Sequence, residues 1–270
     1  LYLQLGKDKV SSSPSDPKAY VELGNQYSEM KDYARAVAAY REALRLAPYS
    51  PLILRDLGGV LHLVGRSDDA KHALRLAIQL DPAAPTPWRN LGVVYADEKE
   101  WGAAVECFEK GLALDPDWKD GQRYLSVALE GAGRLPEAAE RARKALQSDP
   151  HSKECLKLFI HQMLRLERRD LARSVLYRII RDATENPDLH NALGELCYYD
   201  NLYDQSETHF VAAGKSGNSS AYNNLGVLYF KQGRFEDAKK AFERCIENDP
   251  GHKGARANLD RVLKRLASSS

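Results

Sequence analysis

The amino-acid sequence repeats one pattern at a spacing of 34 residues, and this periodicity is its strongest constraint on the fold. The pattern is clearest in residues 219–250, SSAYNNLGVLYFKQGRFEDAKKAFERCIENDP. Each half of this unit places key residues three and four positions apart: Tyr222, Leu225, Gly226 and Tyr229, then Ala238, Phe242 and Cys245. Such spacing puts each set on one face of a helix. The unit therefore predicts two antiparallel helices joined by a turn at KQGR.

Seven units follow one another along the chain when Gly226 is taken as the eighth residue of its unit. They begin at Pro17, Pro51, Pro85, Lys119, Lys153, Pro187 and Ser219. The first six starts are 34 residues apart, and the last step is 32. A single helix pair cannot bury its own apolar face, so stability must come from the stacking of neighbours. We expect a segment or linker at 1–16, the repeats at 17–252, a capping helix at 253–267 and a disordered tail at 268–270.

A small residue occupies the eighth position of most first helices, although Gly inside a helix costs about 1 kcal/mol relative to Ala. These residues are Gly24, Gly58, Gly92, Ser126, Gly194 and Gly226. We expect Gly226 to face the small Ala238, so that the two helices approach closely. Gly233 is expected to end the first helix in a left-handed conformation. The fifth unit carries the bulkier Ile160 at the eighth position, which should force its helices apart.

With these positions in place, the chain resembles the tetratricopeptide repeat family. The resemblance rests on segments such as AYVELGNQY with ARAVAAYREAL, and PWRNLGVVY with GAAVECFEKGL, and it covers all seven units. It implies an all-α fold, a right-handed α-solenoid or superhelix of stacked antiparallel helix pairs. It also implies that the first helices line a concave groove and that the chain holds other proteins.

Basic residues recur at the fifth position of consecutive first helices. The residues at this position are Val21, Arg55, Arg89, Arg123, Lys157, Asn191 and Asn223. Stacked helices lie about 10 Å apart, so the four basic side chains would form a ladder along the groove. Such a ladder suits carboxylates or phosphates, for which Arg offers a planar, bidentate donor set. The alternative is that each basic residue pairs with an acidic residue of its own chain.

The sixth position carries a shorter series of asparagines, Asn90, Asn224 and Asn258. In this respect the chain is similar to tetratricopeptide proteins that hold a peptide backbone with Asn side chains, such as the repeat region of the O-linked N-acetylglucosamine transferases. An amide both donates and accepts, so it can bind extended backbone without reading side chains. His161 and Tyr198 are further candidates for the groove wall.

Composition excludes several other classes of function. The chain has 270 residues, with 39 basic and 38 acidic side chains, and its net charge of +1 argues against general binding to nucleic acid or membrane surfaces. No run approaches the 18 or so apolar residues of a membrane span. The four cysteines are widely spaced without a CxxC pair, which favours buried free thiols and a reducing, cytoplasmic compartment. Without a metal-ligand spacing, phosphate loop or nucleophile motif, we expect no metal, no cofactor and no catalysis.

The sequence thus favours a non-enzymatic scaffold or adaptor that binds a partner segment, acidic in one version of the hypothesis, in its concave groove. Two alternatives stay open: the substrate-recruiting repeat region of a larger enzyme, and a membrane-tethered assembly factor of a secretion or pilus machine. The chain begins at Leu1 rather than at Met, so we allow for an upstream signal or anchor. Self-association through exposed faces is a further option.

Overall fold

The structure, a computed structural model, describes residues 2–182 and 186–267, with side chains for residues 6–181 and 186–267. The tail at 268–270, which we expected to be disordered, lies outside the described residues. Every regular element in the described ranges is a helix, so the predicted all-α fold of packed helix pairs is confirmed. The chain divides into two compact units, Leu1–Arg141 and Ala142–Ser270.

Sixteen helices occupy the described residues, and they follow the order of the repeats. They are α1 Tyr2–Ser12, α2 Pro17–Glu29, α3 Tyr33–Leu46, α4 Pro51–Leu63, α5 Ser67–Leu80, α6 Pro85–Asp97, α7 Trp101–Leu114, α8 Gly121–Gly131, α9 Leu135–Ser148, α10 Lys153–Arg165, α11 Arg169–Asp182, α12 Pro187–Tyr199, α13 Tyr203–Lys215, α14 Ser219–Lys231, α15 Phe235–Asn248 and α16 Lys253–Ala267. The even-numbered helices from α2 to α14 are the first helices of the seven predicted repeats. Helix α16 packs mainly on α15 and also touches α14.

The first helices begin where the sequence provides the right terminal chemistry. Proline opens α2, α4, α6 and α12, where a missing backbone N–H removes no helical hydrogen bond. Helices α10 and α14, which lack this proline, have side-chain caps: Ser152 accepts from the backbone N–H of Cys155, and Asn218 accepts from that of Ala221. The fourth repeat differs, because its first helix begins at Gly121, two residues after Lys119.

The turn between the two helices of a repeat needs one residue with a left-handed backbone. Gly233 has φ of 76°, as we predicted for the end of the first helix. Gly65 and Gly133 occupy the matching turns with φ of 77° and 78°. Lys99 and Asn201 adopt the same conformation in other repeats, with φ of 62° and 60°, although they carry a Cβ atom. The turn geometry is therefore kept even where glycine is absent.

The glycine at the eighth position makes room for a large side chain of the second helix. A Cβ atom added to Gly226 would lie 2.5 Å from the ring of Phe242, and one added to Gly92 would lie 2.5 Å from Phe108. Our expectation that Gly226 serves mainly to face Ala238 was therefore incomplete, since the aromatic ring fills the space. Small residues do oppose each other across the pair, because Ser206 Oγ donates to the carbonyl of Gly194 at 2.8 Å.

The fifth repeat differs from its neighbours at the eighth position. Ile160 occupies the position of the usual glycine, and Phe159 beside it is fully buried. That this bulky side chain holds the two helices of the repeat apart stays a prediction.

Helix α1 packs on α2 at the start of the first unit. The backbone of Gly6 lies against the side chain of Gln26, and Lys9 forms an ion pair of 2.7 Å with Glu22. Part of the segment that we assigned as an N-terminal segment or linker is therefore helical and in contact with the first repeat.

Candidate functional site

The three arginines of the expected basic ladder lie in the first unit, and each is paired within its own chain. Arg55 Nε donates to Asp56 at 2.7 Å, and Arg123 Nη2 donates to Asp120 at 3.0 Å. Arg89 donates to Asp115, which the sequence analysis did not single out. Internal pairing, the alternative left open by the sequence, is thus present at all three arginines.

Two of these arginines also contact an aromatic ring. The guanidinium carbon of Arg89 lies 4.7 Å from the ring centre of Trp118, and that of Arg123 lies 4.6 Å from the ring centre of Tyr124. Both distances are typical of cation–π contacts. Because a carboxylate and a ring hold each guanidinium, a partner would have to displace existing contacts to bind there.

Asn90 lies on α6 beside the neighbouring first helix, α4. A Cβ atom added to Gly59 would lie 3.6 Å from Asn90 Nδ2. Within the described residues, the Asn90 amide makes no hydrogen bond, so its donors and acceptor remain available to a ligand or to water.

The second unit contains a series of three clefts along the first helices α10, α12 and α14 and the capping helix α16. The first cleft, about 390 Å³, lies between α10 and α12. The second, about 240 Å³, lies between α12 and α14, and the third, about 60 Å³, is lined from α14 and α16. Glu195 lines both the first and second clefts, and Val227 lines both the second and third. We call this series of adjoining clefts the second-unit groove.

A chain of side-chain amides crosses this groove, and we call it the asparagine ladder. On α12, Asn191 donates to Glu195 at 2.8 Å. On α14, Asn224 donates to Asn191 at 3.1 Å and to Glu195 at 2.9 Å. Asn258 on α16 donates to the side-chain oxygen of Asn223 at 3.0 Å, and Asn223 lies 3.5 Å from Asn224. The structure thus brings together four of the predicted asparagines, from three successive first helices.

Glu195 anchors this ladder, and sequence reasoning missed it. Glu195 reaches solvent, but many protein atoms lie near its carboxylate and partly desolvate it, which raises its pKa. Hydrogen bonds from Asn191 and Asn224 act in the opposite direction and are the smaller effect. The available signal was its position, since Glu195 follows Asn191 by one helical turn and must share its face.

The first cleft combines an apolar surface with charged groups of both signs, Lys153 and Lys157 on α10 and Asp188 and Glu195 on α12. Leu156, Ile160 and Leu164 line it together with the predicted site residues Lys157 and His161. Lys157 makes no ion pair within the part of the chain that the structure describes. This cleft can accept an apolar group and, beside it, an acidic one.

Two tyrosines line the second cleft. The rings of Tyr198 and Tyr199 meet edge to face, with their centres 5.7 Å apart. Lys231 Nζ lies 4.7 Å from the ring centre of Tyr198 and thereby holds that ring from α14. Tyr199 is 63% exposed, which makes it a large apolar surface available for contact.

The described residues show no arrangement suited to metal binding or thiol chemistry. No group of three or more His, Cys, Asp or Glu side chains among them could hold a metal ion. All four cysteines are buried and free, and burial raises the pKa of Cys107 to about 12. Across residues 2–182 and 186–267, no helix has both the length and the apolar character to cross a membrane.

Stacked helix pairs with a groove along their first helices define the class of helical-repeat binding proteins. Models of the tetratricopeptide repeat match residues 17–50, 85–118 and 219–252. The chain therefore contains tetratricopeptide repeats in these three stretches, which together make up 102 of its 270 residues. Its repeats make it a protein-interaction scaffold by class.

Two curated relatives match the chain over limited parts of their own length. Protein O-mannosyl-transferase TMTC1 of Homo sapiens is 24% identical over 257 residues, covering 92% of this chain and 25% of that protein. The TPR repeat-containing protein MJ1428 of Methanocaldococcus jannaschii is 25% identical over 168 residues, covering 58% of this chain and 28% of that protein. The chain thus spans about a quarter of the length of these relatives.

Solved structures of repeat proteins share the fold. The C-terminal part of a TPR repeat-containing protein from Cytophaga hutchinsonii superimposes with a TM-score of 0.67 at 12% identity, covering 87% of this chain and 98% of that one. MamA 41-end from Desulfovibrio magneticus RS-1 gives a TM-score of 0.55 at 19% identity, covering 61% of this chain and 93% of that one. At this level of identity the likeness concerns the fold alone.

Proposed function

We propose that the chain is a non-enzymatic scaffold that binds an extended segment of a partner protein in the second-unit groove. The observation that supports the proposal is the asparagine ladder within a series of adjoining clefts. Asn191, Asn223 and Asn258 each use one of their two N–H donors within the ladder, so each keeps a donor as well as acceptor capacity on its oxygen. Asn224 uses both donors and offers its oxygen. A peptide backbone needs both donors and acceptors. The ligand is therefore held mainly through its backbone.

The size of the groove fits an extended segment. Four neighbouring first helices at about 10 Å spacing give a groove on the order of 30 Å long. An extended chain rises about 3.3 Å per residue, so roughly nine residues would fill it. A helix of the same length would cover only about 14 Å, which is half of the groove.

The charges of the groove favour an acidic group at one end of the bound segment. Lys157 lies at the α10 end without an ion-pair partner among the described residues, whereas Lys153 is already paired with Asp188 at 3.2 Å. The adjacent surface of Leu156 and Leu164 suits an apolar side chain next to that acidic group. We therefore expect an acidic residue flanked by an apolar one to be preferred at this end.

A peptide-display selection tests this function. Random peptides of about nine residues, the length that fits the groove, are selected for binding to the chain. The affinity of each selected peptide is then measured for the chain and for the Asn224→Ala variant. We expect an affinity loss of about tenfold, because the bound backbone loses an amide partner and the ladder is broken. Asn248→Ala, at the end of α15 and outside the groove, is the matched control and should bind normally. Selected peptides that bind Asn224→Ala as tightly as the parent chain would overturn the proposal.

A second candidate is the substrate-recruiting repeat region of a larger enzyme. It is favoured by the likeness to an O-mannosyl-transferase, whose matching part covers 92% of this chain and 25% of that protein. In this case the groove would present a protein segment to a catalytic domain on the same polypeptide. The coding sequence of the whole protein decides the point: a transferase domain in the same reading frame supports this candidate, and its absence rejects it.

A further inference from the structure

A second concave site lies outside the second-unit groove, among helices α13, α14 and α15. Its volume is about 250 Å³. Lys215, Lys240 and Arg244 line it together with Asp237, around a surface that includes Tyr222 and Leu225. We call it the basic pocket.

The basic pocket and the groove use different faces of α14. Tyr222, Leu225 and Tyr229 of this helix line the pocket, whereas Asn224 and Val227 line the groove. A ligand in the pocket therefore does not have to compete with a segment in the groove.

The three cations of the pocket are not neutralised by the chain itself. None of Lys215, Lys240 and Arg244 makes an ion pair with a carboxylate within the described residues. The nearby carboxylates are occupied elsewhere, because Arg234 pairs with Glu207 at 2.8 Å and with Asp237 at 2.9 Å.

The charged side chains that line the pocket carry a net charge of about +2, counting Asp237 against the three cations. A pocket with this charge favours an anion, and a doubly charged anion most of all.

An aromatic ring at the wall of the pocket contacts Arg244. Tyr222 is buried, and its ring lies so close to Gly214 that an added Cβ atom would come within 2.7 Å of it. The guanidinium carbon of Arg244 lies 5.4 Å from the centre of this ring. The ring of Tyr222 therefore covers one face of the Arg244 guanidinium. The N–H groups of Arg244 lie in the guanidinium plane and remain available to a ligand.

We propose that the basic pocket binds a phosphate monoester carried by a segment of a partner protein. A phosphorylated side chain has a charge of about −1.5 to −2 and three acceptor oxygens, which matches the charge of the lining and its three cationic donors. A carboxylate has one charge and two oxygens, and it would leave one cation without a counter-charge. A protein source is favoured because the tetratricopeptide repeats in this chain support a role as a protein-interaction scaffold. Because the basic pocket and the groove lie on different faces of α14, this proposal does not depend on what the groove binds.

Titration with a short alanine peptide that carries one phosphoserine tests the proposal. Amide NMR shifts of Gly214 and Gly217, next to Lys215, report binding. We expect saturable binding that weakens by about tenfold or more in the Lys240→Gln/Arg244→Gln variant, since two charge-assisted contacts are lost. Lys239→Gln is the matched control, because Lys239 interacts with Glu243 and does not line the pocket. Lys215→Gln repeats the test from α13, in case the double variant fails to fold.

Each comparison ligand gives a result that supports or overturns the proposal. The unphosphorylated peptide, inorganic phosphate and vesicles containing phosphatidylserine should all bind more weakly than the phosphopeptide. Equal binding of the unphosphorylated peptide would overturn phosphate recognition. Equal or tighter binding of inorganic phosphate or of vesicles, with the same loss in the double variant, would overturn the protein source. Absence of phosphopeptide binding would overturn the proposal outright, whatever the groove binds.

Discussion

Gly226 shows how a single missing side chain sets the distance between two helices. Replacing Gly226 by Ala would place a methyl group 2.5 Å from the ring of the buried Phe242. We expect Gly226→Ala to lower the stability of the second unit by roughly 1–3 kcal/mol, despite the better helix propensity of Ala. Urea denaturation followed by circular dichroism measures the change.

Gly254→Ala is the control for this substitution. Gly254 also lies in a helix of the second unit, but an added Cβ atom would meet only ordinary contacts with His252, the nearest at 3.4 Å. Stability should therefore stay the same or rise slightly. If the two variants behaved alike, close packing would not explain the glycine at the eighth position.

His209 should make the second unit sensitive to acid. Its Nε2 lies 3.0 Å from the hydroxyl of Tyr177, which donates to Gln205, and its Nδ1 lies 3.1 Å from that of His190. His209 therefore donates to Tyr177 and accepts from His190. Burial lowers the pKa of His209 from 6.5 to about 4, with a further contribution from His190. Protonation would place two N–H groups against each other.

Because folded His209 resists protonation, the unfolded chain binds the proton first as the pH falls. We expect its contribution to stability to decrease between about pH 6.5 and pH 4 and to level off below that. Allowing for the partial exposure of the ring, the loss is on the order of 1 kcal/mol. His209→Gln should flatten this part of the stability profile, whereas His151→Gln, an exposed residue of the same unit, should not. An identical acid profile in both variants would contradict the assignment.

At the scale of the helix, α16 closes the second unit through one face. Val262 and Ala255 are fully buried, while Leu263, next to Val262, is 42% exposed. Val262→Asp should destabilise the unit by about 3 kcal/mol or more, because it buries a charge without a partner. Leu263→Asp adds the same charge on the outer face and should cost less than about 1 kcal/mol. Thermal unfolding of the two variants decides whether α16 is an integral part of the array.

The helices themselves could be predicted from the sequence, because helix ends and buried faces depend on local spacing. Proline at the repeat starts and glycine at Gly233 act through their own backbone geometry. The partner of the glycine at the eighth position was harder to predict. Gly226 and Phe242 are far apart in sequence, and their contact depends on the crossing of two helices.

At the scale of the whole chain, the repeat periodicity fixed the architecture but not the site. The fifth-position arginines looked available in the sequence, yet Arg89 pairs with Asp115, which lies 26 residues away. The asparagine ladder likewise depends on Glu195: its place beside Asn191 follows from helix spacing, but its contact with Asn224 depends on the packing of α12 against α14. Packing positions are shared by most repeats and are thus easy to predict. The candidate binding positions differ between repeats, so each depends on its own neighbours.

We propose above that the asparagine ladder forms hydrogen bonds with the backbone of a bound segment, and chemical changes to that backbone test this most directly. The affinity of a selected peptide is measured after N-methylation of each amide in turn, and again after alanine replacement of each side chain. We predict that N-methylation opposite Asn224 and Asn258 weakens binding about tenfold, since a backbone donor is lost, while alanine replacement there has little effect. Tolerance of N-methylation at every position, with large losses on alanine replacement, would contradict the account.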